Sequence, residues 1–237
     1  MENSNFHPLI IQLSDRIEAI WHQYLNISDY EMPADLGYVE GKLEGERLTI
    51  QNRCYQAPQF RKLHIELAQV GSNLDILHCV MYPQFNYPLP IFGADLIGGK
   101  AGISAAIVDI SPTVTIPDTI SEPIRAWQAS QPQFSQPREL PAWGKNIFSE
   151  FCIFVRPQGQ LEENLFLQTL EKYCTQVCTV ASELESVSEE IKTIIQDRHR
   201  HYCQQQQQND KTRRILEKAF GKEWADRYMN TVLFDVV

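Results

Sequence analysis

The chain has 237 residues, 43% of them hydrophobic and 22% charged, which is the make-up of a globule able to bury a substantial core. Its 21 basic and 30 acidic residues give a net charge of -9, which argues against wholesale nucleic-acid binding. No apolar run approaches the roughly 18 residues of a membrane helix, so no membrane partner is expected.

In chain order, "LIIQLSDRIEAIWHQYLNI" has the apolar spacing of an amphipathic helix. The same N-terminal region lacks a basic stretch followed by an apolar core, so no signal peptide is read. "GYVEGKLEGERLTIQNRCYQ" predicts a hairpin, residues 38–45 and 47–55, turning near Gly45. Residues 62–70 and 74–82 predict a second hairpin around Gly71-Ser72-Asn73. "YPQFNYPLPIFGADL" then interrupts the pattern with Pro83, Pro88 and Pro90 before a short strand near Phe92. Asp95 follows in this irregular stretch, where a carboxylate can stand at a strand edge. "GGKAG" (98–102) turns into the strand "ISAAIVDI". Residues 111–145 predict a short helix within long loops, and "FSEFCIFVRP" (148–157) a further strand. From about residue 160 the chain reads as helix, broken near Asn209-Asp210 and stopped at Gly221. "QQQQQ" (204–208) reads as an exposed helical stretch.

Adjacent strands with short turns favour an antiparallel meander over βαβ units. With helices at both ends, the fold class is α+β: one sheet covered on both faces, in a single domain spanning 1–237. Six scattered cysteines without a C-x-x-C pair read as reduced thiols of a cytoplasmic protein. "GADLIGGKAG" is not a phosphate loop, because no glycine is correctly spaced before Gly99-Lys100 and Ala101 stands where Ser or Thr is needed. No G-x-G-x-x-G fingerprint is present either.

The second hairpin holds the most informative residues. If Gly71-Ser72-Asn73 is a three-residue loop, Val70 pairs with Leu74 and Glu66 lies opposite His78. His64 shares their face, being two residues before Glu66. A two-residue loop would scatter the three groups. Three readings stand: an exposed polar sheet face, a two-His, one-carboxylate metal site, and a proton relay serving a substrate. Further on, Arg198, Arg200, Lys211, Arg213, Arg214 and Lys218 form a local basic region: a solvated helix face, a dock for an acidic partner, or a site that captures carboxylates on a ligand.

Long motifs carry a resemblance: "MPADLGYVEGKLEGE", "NRCYQAPQFRKLHIELAQVG", "LDILHCVMYPQFNYPLPIFGADL", "ISAAIVDISP" and "HYCQQQQQNDKTRRILEKAFG". With these the chain resembles the ferredoxin-dependent bilin reductases from about residue 30 to its end. The resemblance implies a three-layer α-β-α sandwich with a central antiparallel sheet, and a pocket between the sheet and the C-terminal helices. It implies four-electron reduction of biliverdin IXα to phycocyanobilin through bilin radicals. The electrons come singly from reduced [2Fe-2S] ferredoxin, and the enzyme itself holds no metal or other cofactor. It implies catalytic roles for Asp95, His78 and Glu66, with Glu66 serving the D-ring vinyl group. His64, Arg138, Lys211, Ser104 and Asn209 are implied to bind substrate, the two cations through its propionates. Arg213, Arg214 and Lys218 are the expected ferredoxin-docking residues, and a monomer is expected.

Overall fold

A computed structural model describes residues 6–235. The N-terminal helix α1 (Pro8–Tyr24) starts with Pro at its first position, where the missing N–H is no loss, and His7 Nδ1 accepts from Leu9 N. Its buried face is Leu9, Ile10, Leu13, Ile17, Ile20 and Trp21, at helical spacing. Strands β1 (Ser28–Asp29), β2 (Tyr38–Leu43) and β3 (Glu46–Ala57) follow, with the four-residue helix α2 (Ala34–Gly37) between the first two. Then come β4 (Phe60–Val70), β5 (Leu74–Pro83), β6 (Ile91–Gly98), β7 (Ala105–Ser111), helix α3 (Asp118–Ser130) and β8 (Ile153–Val155). The remainder is α4 (Gly159–Ala181), α5 (Glu189–Gln206), α6 (Asp210–Phe220), α7 (Lys222–Tyr228) and a π-helical turn, Met229–Leu233.

All strands pair antiparallel in the order β1-β3-β4-β5-β6-β7-β8, and β2 also pairs with β3. Alternation along each strand feeds two separate cores. On β5, Leu77, Cys79 and Met81 pack into a layer with α1, α3 and α4. Val80 and Tyr82 pack into the opposite layer with Tyr202 and Cys203 of α5, Leu216 of α6 and Tyr228 of α7. The result is the α-β-α sandwich that the resemblance implied.

Three expectations need correction. The strand expected over 148–157 is only Ile153–Val155. Ser149 instead directs its hydroxyl (2.5 Å) and backbone N–H (3.1 Å) to the buried carboxylate of Asp109, so the chain turns there before it can pair. The glutamine run is not uniformly exposed. Gln206 is buried against Tyr202, whose hydroxyl accepts from Gln206 Nε2 at 3.0 Å, and α5 ends there. Asp95 stands inside β6, not at an irregular edge. Gly221 does stop α6: its φ of +88° is open to glycine, and its N–H closes on Glu217 O.

Helix α5 also buries His199 between Tyr82 and Phe85, with both ring nitrogens lacking a hydrogen-bond partner. Burial, with the Arg61 guanidinium adding to it, pushes the imidazole down to about 3. A pKa depressed on folding means that the unfolded chain binds the extra proton. His199 therefore contributes full stability above about pH 6.5, and loses it as pH falls towards 3. Between pH 7 and pH 4.5 the loss is expected to be about 2–3 kcal/mol. Urea unfolding at both pH values checks this: in His199→Leu that part of the acid sensitivity disappears.

Candidate active site

The β4–β5 loop is Gly71-Ser72-Asn73, with Val70 opposite Leu74 and Gly71 at φ +53°. This register places Glu66 opposite His78. Pairing on either side extends the row. Asn52 of β3 lies opposite Glu66, Asp95 of β6 opposite His78, Ile107 of β7 opposite Asp95, and Phe154 of β8 opposite Ile107. Arg138 continues it, its backbone N–H donating to Phe154 O and its guanidinium 5.2 Å from the Phe154 ring centroid. Seven residues from seven segments thus form one transverse line, polar at one end and apolar before the arginine. The sheet face towards Arg138 is thinly covered: Ile97 is exposed and Ile76, Ile107 and Phe154 are half-buried.

The exposed-face reading fails, because His64, Glu66 and His78 are all buried. Asn52 organises them. Its Nδ2 donates to Leu36 O at 2.7 Å, which leaves Oδ1 as acceptor. Oδ1 lies 2.8 Å from His64 Nε2 and 2.9 Å from the Tyr228 hydroxyl. That hydroxyl is also 2.5 Å from Glu66 Oε2. Tyr228 has one proton to give. If it donates to Asn52, Glu66 must donate to Tyr228, which makes Glu66 a carboxylic acid. The opposite choice would set two bare oxygens 2.9 Å apart. Burial raises the Glu66 pKa in the same sense, against the lowering effects of His78 and the Tyr228 hydrogen bond.

The imidazoles differ. Burial, with Lys62 and His78 adding to it, holds His64 well below the usual histidine range. Burial also opposes charge on His78, but the Asp95 carboxylate, by charge and by hydrogen bond, outweighs it and leaves the pKa raised. His78 Nδ1 sits 2.6 Å from Asp95 Oδ1. His64 Nδ1 and His78 Nε2 are buried without partners, in rings 5.7 Å apart. Such orphaned nitrogens cost free energy unless a ligand or a proton uses them. Asp95 differs from the other three: its side chain is 42% exposed and reaches the thinly covered face. Phe234 closes the other side, its ring centroid 5.7 Å from that of His78. Lys62 pins this C-terminal segment, its Nζ donating to Val232 O at 2.6 Å. Among the described residues no cluster of three His, Cys, Asp or Glu side chains could hold a metal ion.

The substrate-binding expectations divide into two groups. Arg138 and Ser104 meet, with the guanidinium donating to Ser104 O at 2.6 Å. Asn209 and Lys211 sit together at the start of α6, where Asn209 Oδ1 caps the helix by accepting from Lys211 N. The docking expectations are each paired with an acid: Arg213 with Asp226, Arg214 with Asp210 and Lys218 with Glu44. Sequence reasoning missed Asn52 and Tyr228. Asn52 was findable, as a polar residue at a buried position of a predicted strand. Tyr228 lies beyond Gly221, where no pattern marked an element.

A buried face that lines up a raised-pKa carboxyl group, two unlike imidazoles and a half-open carboxylate is the kind of arrangement that acid–base enzyme sites use. Comparison with known proteins supplies the chemistry. Residues 14–235 match the ferredoxin-dependent bilin reductase family. The chain is 55% identical over 232 residues to phycocyanobilin:ferredoxin oxidoreductase of Trichodesmium erythraeum, covering 97% of this chain and 94% of that one. It is 54% identical over 236 residues to the protein of that name from Synechococcus elongatus, with the same coverage. Its fold superimposes on crystalline tomato phytochromobilin synthase in complex with biliverdin, with TM-score 0.77 and 13% identity, over 95% of this chain and 82% of that one. The chain belongs to the ferredoxin-dependent bilin reductases, and so is an oxidoreductase supplied by ferredoxin.

Proposed function

We propose that this enzyme reduces biliverdin IXα to phycocyanobilin, taking four electrons one at a time from reduced [2Fe-2S] ferredoxin and adding four protons. The observation that supports this most is the transverse row with acid–base groups at one end and Arg138 at the other. Asp95 and Arg138 are three strand spacings apart, roughly 14 Å, which suits a flat ligand with lactam oxygens at one edge and carboxylates at another. A conjugated tetrapyrrole can hold an unpaired electron itself, so the protein need supply only binding, orientation and protons. Asp95 and His78 are assigned to the lactam oxygens, Glu66 to the D-ring vinyl group, and His64 to proton storage beside His78. Arg138, Lys211 and, in lesser roles, Ser104 and Asn209 are assigned to the propionate side. The chain is proposed to act as a single-domain cytoplasmic monomer with no cofactor of its own. None of its described helices is long and apolar enough to cross a membrane.

The test is anaerobic incubation of biliverdin with reduced ferredoxin and identification of the product. Phycocyanobilin is expected, and an unchanged or singly reduced bilin would overturn the proposal. A positioning role for Tyr228 has its own check. In Tyr228→Phe the link from Glu66 to Asn52 is lost while the ring stays stacked on Trp224. Turnover is expected to fall about tenfold, with biliverdin affinity nearly unchanged and the alkaline limb of the pH–rate profile, where the Glu66 proton is lost, displaced. A purely structural role would leave that limb in place.

A further inference from the structure

Positive charge is unevenly compensated on this surface. The α6 cations Arg213, Arg214 and Lys218 each face an internal acid, and on α5 Arg200 is held by Asp197 at 2.5 Å. Arg198 is different: it is exposed and has no ion-pair or hydrogen-bond partner among the described residues. The side chains of Lys145 and His201 are also without partners there.

These free groups border one groove. It measures about 270 Å³ and lies between α5, the segment after β7 and the short 3₁₀ turn Gly144–Asn146. Val114, Asn146, Ile194, Arg198, His201 and Tyr202 are among its lining residues, and Lys145 adjoins Asn146. Ile194 is 43% exposed, an apolar side chain beside a basic rim. Apolar centre and polar rim is the anatomy of a protein-docking surface. The groove is also close to the chemistry. The Tyr202 hydroxyl reaches to 3.2 Å from where a Cβ on Gly93 would stand. Gly93 precedes Asp95 by two residues on the same face, roughly 7 Å along the strand.

We infer that this groove, and not α6, is where ferredoxin docks. The inference rests on the functional reading above. Plant-type ferredoxins are small and strongly acidic, so they complement uncompensated cations and gain little from cations already paired with carboxylates. The chain as a whole carries a net charge of -9, which repels such a partner elsewhere and turns it towards the groove. Transient redox complexes use small interfaces, so two cations around an exposed isoleucine are a sufficient site. In each encounter one electron leaves the reduced iron–sulfur centre and arrives on the bilin, with Tyr202 between the two proteins' redox partners. No bond forms or breaks at the groove.

The test uses Arg198→Glu, Lys145→Glu and Arg214→Glu with two electron donors, reduced ferredoxin and reduced methyl viologen. For the first two variants the apparent KM for ferredoxin is expected to rise about five- to tenfold, with a weaker dependence on ionic strength. Biliverdin affinity and viologen-driven turnover are expected to stay within about twofold, which also shows that the variants fold. Arg214→Glu is expected to change KM less than Arg198→Glu. An unchanged ferredoxin KM in both groove variants overturns the docking site and leaves the functional reading intact. Failure of the unaltered enzyme to reduce biliverdin with either donor overturns that reading, and the docking site with it.

Discussion

Asp95→Asn is expected to bind biliverdin nearly as well as the unaltered enzyme, to accept an electron, and to stop. Asp95 is the carboxyl group of the row that reaches the open face, and its Oδ1 also contacts His78 Nδ1 at 2.6 Å. An amide keeps the shape but cannot donate an acidic proton. It also removes the negative charge that raises the His78 pKa against the effect of burial. One substitution therefore weakens two proton donors. General acid–base catalysis is worth about 10²–10⁴-fold, and the loss should fall at the upper end of that range. The unprotonated product of electron uptake is a bilin radical, visible by electron paramagnetic resonance. A persistent organic radical with almost no phycocyanobilin is the expected result. Normal turnover by this variant would remove Asp95 from the mechanism.

Glu66→Gln should change the product more than the initial rate. Glu66 stands at the head of a hydrogen-bonded chain through Tyr228 to Asn52 Oδ1. Glutamine can imitate that hydrogen bond, so folding and bilin binding should survive. It has no proton to transfer at the vinyl carbon it is assigned to. The expected outcome is accumulation of a two-electron-reduced bilin, with phycocyanobilin down about 100-fold or more. Chromatography of the extracted pigments gives the answer. Unchanged phycocyanobilin yield would count against the role of Glu66. Because Asp95 and His78 remain, the first reduction should proceed, which separates this variant from Asp95→Asn.

Local chemistry made much of this legible beforehand. The Glu66–His78 pairing follows from a three-residue loop and a period of two, since a hairpin's register is set by its turn. The helix break at Asn209 and the stop at Gly221 follow from a capping side chain and a positive φ. The long bilin-reductase motifs pointed to the family for a related reason: they are contiguous stretches of chain, readable without the fold. What local chemistry cannot reach is contact between segments without a shared turn. Asp95 faces His78 across a proline-rich connection whose length dictates no register. Burial of Phe92, Ala94 and Leu96 on the opposite face decides it. Tyr228 meets Glu66 from 162 residues away, and Lys218 meets Glu44 from 174. The first contact ties a buried carboxyl group through a hydroxyl to Asn52, and the second neutralises a cation that looks free in the sequence. Side-chain type and local pattern determined which chemical groups this protein has. Only the packing of the two helical layers on the sheet decided which are desolvated, which are paired and which stay open to a ligand, because those properties depend on neighbours that chain order does not specify.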